Sequence, residues 1–139
     1  GGSSAEAHSA KADGVGVAVP QSQRRIRGED GMSETLRRVQ TLVLSGDFLV
    51  SDHGYEELNE DGILPNDAIE GIVTAVAIED YPDRIRGPSV LTLQHDAEGR
   101  PIHVVWAIPA GERRPAVLVT AYRPDPDVWD DDFKLRIRP

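Results

Sequence analysis

Apolar residues recur every three to four positions in the first half of the chain and every second position in the latter half, so the sequence predicts helices followed by strands. Leu36, Val39, Leu42 and Val43 make one helical stripe, with Ser33 suited to cap its start and Gly46 to end it. Phe48 to Val50 reads as a short extended piece. Ser51 then caps a second helix that Gly62 ends, with Val50 and Tyr55 spaced as a hydrophobic staple. Pro65 and Asn66 open a third helix whose stripe is Ala68, Ile69, Ile72, Val73 and Val76.

Beyond it the pattern changes. "AVAIEDY", "SVLTLQH", "PIHVVWAIP" and "PAVLVTAYRP" read as strands, with "DAEG" and "AGER" as turns between the later ones. Short linkers imply an antiparallel meander. The expected class is α+β, with N-terminal helices packed on an antiparallel sheet of about four strands. In the tail "DPDVWDDDFKLRIRP", Trp129 and Phe133 are four apart and are expected to pack back as a final helical turn. Residues 1–31, rich in Gly, Ala and Ser, read as a disordered leader, and residues 32–139, from Met32 on, as a single domain.

Alternation along the strands separates two faces. Ile102, Val104, Trp106 and Ile108 share the natural core side, joined by Val117, Val119 and Ala121 of the next strand. His103 lies on the other side, with Leu118, Thr120 and Tyr122, and with Thr92 and Gln94 if register permits. That makes the His103 face a candidate site. A solvated sheet face of ordinary polar strand residues accounts for the same alternation.

Charge narrows where an anion would bind. The net charge is −9, no lysine or arginine occurs between Arg38 and Arg84, and from Arg84 onward nine basic residues face eight acidic ones. A phosphate-binding surface therefore belongs after residue 83. The absence of cysteine excludes disulfides, thiolate nucleophiles and cysteine-ligated zinc. No apolar run approaches a membrane span, so a cytoplasmic protein without a membrane partner is expected. No P-loop, dinucleotide fingerprint or Gly-x-Ser-x-Gly elbow is present, and no cofactor is expected.

The histidines are the remaining candidates. In "SDHGYEELNEDGI", His53 falls with Glu57 and Glu60, away from the side of Tyr55, Leu58 and Gly62. His53, His95 and His103 form no compact chelating signature, so no metal is expected.

Taken in order, "SDHGYEELNEDGI", "LPNDAIEGIVTAVAIEDYPD", "GRPIHVVWAI" and "AVLVTAYRPDPDVW" resemble the bacterial family called domain of unknown function 4258, over about residues 48 to 130. That family is grouped with the RelE/BrnT-like toxins of type II toxin–antitoxin systems. The resemblance implies a metal-independent endoribonuclease acting on mRNA and neutralised by a cognate, DNA-binding antitoxin. It implies proton transfer by His53 and His103 with help from Tyr122, and phosphate contacts from Arg84, Arg86 and Arg123. Relatives often carry arginine where this chain has Glu57 and Asp61, which reverses two charges on the face that would meet phosphate. The resemblance therefore also accommodates a non-catalytic protein-binding module of the same fold.

Overall fold

A computed structural model describes residues 33–137 of the 139. The leader and Met32 lie outside the described residues. Helix α1 (Glu34–Leu44) is followed by strand β1 (Phe48–Val50), helix α2 (Asp52–Glu60) and the short helix α3 (Pro65–Glu70). Four more strands complete the fold: β2 (Val76–Tyr81), β3 (Ser89–His95), β4 (Pro101–Ala107) and β5 (Ala116–Tyr122).

The helix starts follow from their caps. Ser33 Oγ accepts the Leu36 N–H at 2.9 Å, and Ser51 Oγ accepts the Gly54 N–H at 2.9 Å, each satisfying a backbone donor that the first turn leaves free. Leu36, Val39 and Val43 are buried, as the stripe requires. On α2 the buried residues are Gly54 and Leu58, whereas Tyr55, the expected staple partner of Val50, is 52 % exposed. Gly54 lies so close to β5 that a Cβ there would sit 2.8 Å from the Leu118 carbonyl oxygen. The third helix is shorter than its stripe suggests: a 3₁₀ turn, Gly71–Thr74, replaces its second half. Ala68 and Ile72 remain buried, but Val73 is exposed and Val76 begins β2.

The sheet has five strands in the order β1-β5-β4-β3-β2. The expected four-stranded meander is present, with β2, β3, β4 and β5 antiparallel in sequence order, and β1 adds a fifth strand parallel to β5. The sheet is therefore mixed rather than purely antiparallel. Ser51 ties the added strand in place, its Oγ donating to the Val119 carbonyl at 3.1 Å.

Both faces are covered. The first carries the larger core, where Leu36, Val39, Leu58, Ile63 and Ile72 of the helical layer meet Ile102, Val104, Trp106, Ile108 and Leu118. On the second face, Ile78, Leu91, Leu93, Val105, Val117 and Val119 pack with Trp129, partly covered by Phe133. The cover is the chain's own tail. It is a small hairpin and not the expected helical turn: Trp129 pairs with Arg136, the Ile137 N–H donates to the Val128 carbonyl at 2.7 Å, and Phe133 turns the chain at φ 61°.

Two register details correct the expected faces. A bulge in β5 sets Val105 opposite Thr120 but Trp106 opposite Leu118, so Val119 is one residue too many. Leu118 consequently joins the first-face core, while Val117 and Val119 lie on the second face, the reverse of simple alternation. In β3, Leu93 is the residue opposite His103, which leaves Thr92 and Gln94 beside Val104 and Ile102 on the first face. Gln94 is fully buried there, accepting the Trp106 Nε1–H at 2.9 Å and donating to the Ala68 carbonyl at 2.7 Å. Thr92 Oγ1 closes the network by donating to the Val104 carbonyl at 2.9 Å. Polar residues occupy this core because each is bonded.

Candidate functional site

Five polar or ionisable side chains gather beneath the tail hairpin on the second face: Glu79, Tyr81, His103, Tyr122 and Arg136. Glu79, opposite Leu91, and Tyr81, opposite Ser89, come from β2, and the register sets His103 of β4 against Tyr122 of β5. Arg136 arrives with the tail. Its Nε donates to Glu79 Oε2 at 2.8 Å and its Nη2 to Oε1 at 3.2 Å, a two-pronged pairing, while the Tyr81 hydroxyl donates to Oε1 at 2.7 Å. Glu79 is only 4 % exposed, so these donors replace the water that burial removes.

His103 is completely buried. Its Nε2–H donates to the Phe133 carbonyl at 2.7 Å, which leaves Nδ1 to accept from the Tyr122 hydroxyl at 3.3 Å. Trp129 stands edge-on to the imidazole, with ring centroids 4.4 Å apart, and the Arg136 guanidinium lies 4.6 Å from the Trp129 ring centre. Burial lowers the pKa of His103 from 6.5 to about 4; the Phe133 bond and the charge of Glu79 oppose that fall, and Arg136 adds to it. The ring is thus neutral near pH 7. Burial likewise pushes the hydroxyls of Tyr81 and Tyr122 above the ordinary phenol value, with the charge of Glu79 adding to both shifts. For Arg136, burial disfavours the cation, but its pairing with Glu79 outweighs this and raises its pKa.

The other residues expected at a site lie elsewhere. Arg123 sits at the end of β5 with its Nη1 2.9 Å from Asp96 Oδ2, and its backbone N–H donates to Asp61 Oδ2 at 2.8 Å. Asp96 Oδ1 also accepts the N–H groups of Glu98 and Arg100, so Arg123 braces the β3–β4 turn. Arg84 lies in the β2–β3 loop with its guanidinium 4.1 Å from the Tyr81 ring centre, which brings it to the margin of the second face. Arg86 is exposed in the same loop. His53, half-buried, is carried by α2, whose Leu58 packs in the first-face core. His103 and Tyr122 are therefore brought together, Arg84 lies against Tyr81 at the other end of the same face, and His53 and Arg123 belong to other parts of the molecule.

Sequence reasoning missed Glu79, Tyr81 and Arg136. Two adjacent acidic residues, Glu79 and Asp80, before a tyrosine in a strand were the available signal, since alternation sends their side chains to opposite faces and a carboxylate on a covered face needs a buried partner. Nothing in the local pattern pointed to Arg136, which is 57 residues away. Among the described residues, no three His, Cys, Asp or Glu side chains converge to hold a metal, and no helix is long and apolar enough to cross a membrane.

Fold and site together define a small α+β domain whose sheet is packed by helices on one face and by its own tail on the other. The profile of the family described as "Domain of unknown function (DUF4258)" matches residues 50–123, slightly over half of the chain. The chain belongs to this family. No match was found among curated proteins or among solved structures.

Proposed function

We propose that the chain is a cytoplasmic protein-binding module built on a RelE/BrnT-like toxin fold, and that with its tail docked it does not cleave RNA. One observation carries this reading: His103 is enclosed, neutral, and donates its Nε2–H to a backbone carbonyl. An imidazole held this way has no path to a ribose hydroxyl or a leaving oxygen. The charges agree. Arg123 is engaged with Asp96, and Glu57 and Asp61 stand where relatives often carry arginines that would meet phosphate.

A second reading keeps the activity: a type II toxin, cleaving mRNA without a metal and neutralised by a cognate antitoxin. The convergence of His103, Tyr122, Glu79 and Tyr81 on one face favours it, with Arg84 at the margin. In that reading the tail has to leave before RNA enters. One experiment separates the two: incubate the full chain with mRNA in the presence of EDTA, and in parallel induce its expression and follow growth. The binding module predicts intact RNA and undisturbed growth. Metal-independent cleavage or growth arrest that His103→Ala abolishes would replace it with the toxin.

A further inference from the structure

The second face has two properties that conflict in an isolated sheet. It presents six aliphatic side chains, Ile78, Leu91, Leu93, Val105, Val117 and Val119, and among them the carboxylate of Glu79. Left bare, it would expose apolar area to water, and it would leave Glu79 without the guanidinium that neutralises it. The face requires a cover with a fixed chemistry: an aromatic wedge for the apolar part and an arginine for the carboxylate.

The cover present here lies beyond the matched residues. The family match ends at Arg123, so the face lies mostly inside the shared segment and the hairpin that covers it lies outside. The hairpin is also largely self-contained. Its own backbone closes it, through Asp130 N–H to Leu135 O at 2.9 Å and Ile137 N–H to Val128 O at 2.7 Å, and Asp130 Oδ1 takes the Lys134 N–H at 3.0 Å. It joins the sheet through Pro124-Asp125-Pro126, and its polar grip on the face includes the Arg136–Glu79 pair and the His103–Phe133 bond. The fit is incomplete as well. Thr120, opposite Val105 on this face, is fully buried, and its Oγ1 has no hydrogen-bond partner among the described residues, a mismatch of about 1–3 kcal/mol.

We propose that the second face is a docking site for a polypeptide segment presenting an aromatic ring and an arginine on one side. Residues 125–137 are its resident occupant, exchangeable with such a segment from another chain. Docking places the incoming arginine on Glu79 and the aromatic ring against His103. This deepens the binding-module reading by naming the surface and its ligand, and it fails separately, because thiol labelling reads exposure of the face and peptide competition, whatever the outcome of the RNA assay.

The chain has no cysteine, so a single introduced thiol reports opening without interference. Val119→Cys places one beneath the tail, and Val104→Cys places one in the first-face core as a reference for global unfolding. With a thiol reagent under native conditions, the Val119→Cys chain is expected to label at least tenfold faster than the Val104→Cys chain. Adding Arg136→Ala should speed only the former. A synthetic peptide of residues 124–137 should then slow that labelling again in a saturable way, and the same peptide carrying Arg136→Glu should not. Equal labelling of the two thiols in the unaltered background would mean that the tail leaves only when the whole domain unfolds, and would overturn the proposal. So would a native peptide that protects no better than the charge-reversed one. Protection that grows with the concentration of the chain itself, without peptide, would put a second copy on the face and overturn assignment to a separate partner. Should the Arg136→Ala chain not fold, the comparison of the two thiols with and without peptide in the wild-type tail decides the matter alone.

Discussion

Acid should loosen this domain through His103 before its carboxylates titrate. The imidazole has an ordinary pKa of 6.5 when unfolded and about 4 when folded, chiefly because it is buried away from water. Between those values the unfolded chain binds a proton that the folded chain refuses, so stability rises with pH across the window and is lost as pH falls from 6.5 towards 4. Going from pH 7.5 to pH 5, the linkage relation gives a loss of about 2 kcal/mol from this one group, and about 3 kcal/mol once the window is crossed. Asp80, whose pKa is raised by burial, works in the opposite sense near the bottom of the window, and Asp47 and Asp96, both lowered, act below their ordinary value. Comparison with His103→Gln cancels these contributions. Glutamine keeps an N–H donor near the Nε2 position for the Phe133 carbonyl but cannot take up a proton. Urea unfolding of both chains at pH 7.5, 6 and 5, followed by tryptophan fluorescence, should show the wild type losing about 2 kcal/mol more than the variant between the extremes. If the two chains lose stability in parallel, His103 is not the neutral, enclosed group described here, and the reasoning that denies it a catalytic role falls with it.

Three further substitutions test the packing and the polar networks. Gly54→Ala should destabilise by about 1–3 kcal/mol in denaturant unfolding, because its Cβ would meet the Leu118 carbonyl oxygen at 2.8 Å; a gain of stability, as helix propensity alone predicts, would contradict the close approach of α2 to β5. Gln94→Leu leaves the Trp106 indole N–H and the Ala68 carbonyl without their bonds, for an expected loss of about 2–4 kcal/mol and a shifted Trp106 emission. Arg123→Ala should cost about 1–2 kcal/mol and move the pKa of Asp96, which the Arg100 and Glu98 N–H groups and Arg123 together hold low against burial, upward in an NMR titration.

The elements were largely legible in the sequence. "SVLTLQH" is strand β3 residue for residue, and Ser33 and Ser51 cap the helices at the expected places. What stayed hidden was set by small offsets and long separations. One extra residue at Val119 reverses the faces of Val117, Leu118 and Val119 in β5, and no periodic pattern announces a bulge. Thr92 and Gln94 looked like solvent-facing positions because their polarity was visible, whereas the buried bonds that satisfy them come from Val104, Trp106 and Ala68. Half of the candidate site followed from alternation, which placed His103 with Tyr122. The other half depended on Arg136 meeting Glu79, a pairing that only the folded tail creates.

The parallel pairing of β1 with β5 also has a consequence for how the domain is made. Strand β1 and the strand that flanks it are joined by a contact spanning 68 residues, from Ser51 to Val119. On a ribosome, which delivers the chain from its N-terminus, β1 waits for a neighbour until nearly the whole domain has emerged. Local turns assemble the β2–β5 meander, but the step that fixes β1 and α2 against it closes a long loop and belongs to the slow, topology-limited end of folding. The last strand of the sheet to be synthesised is the one that admits the first.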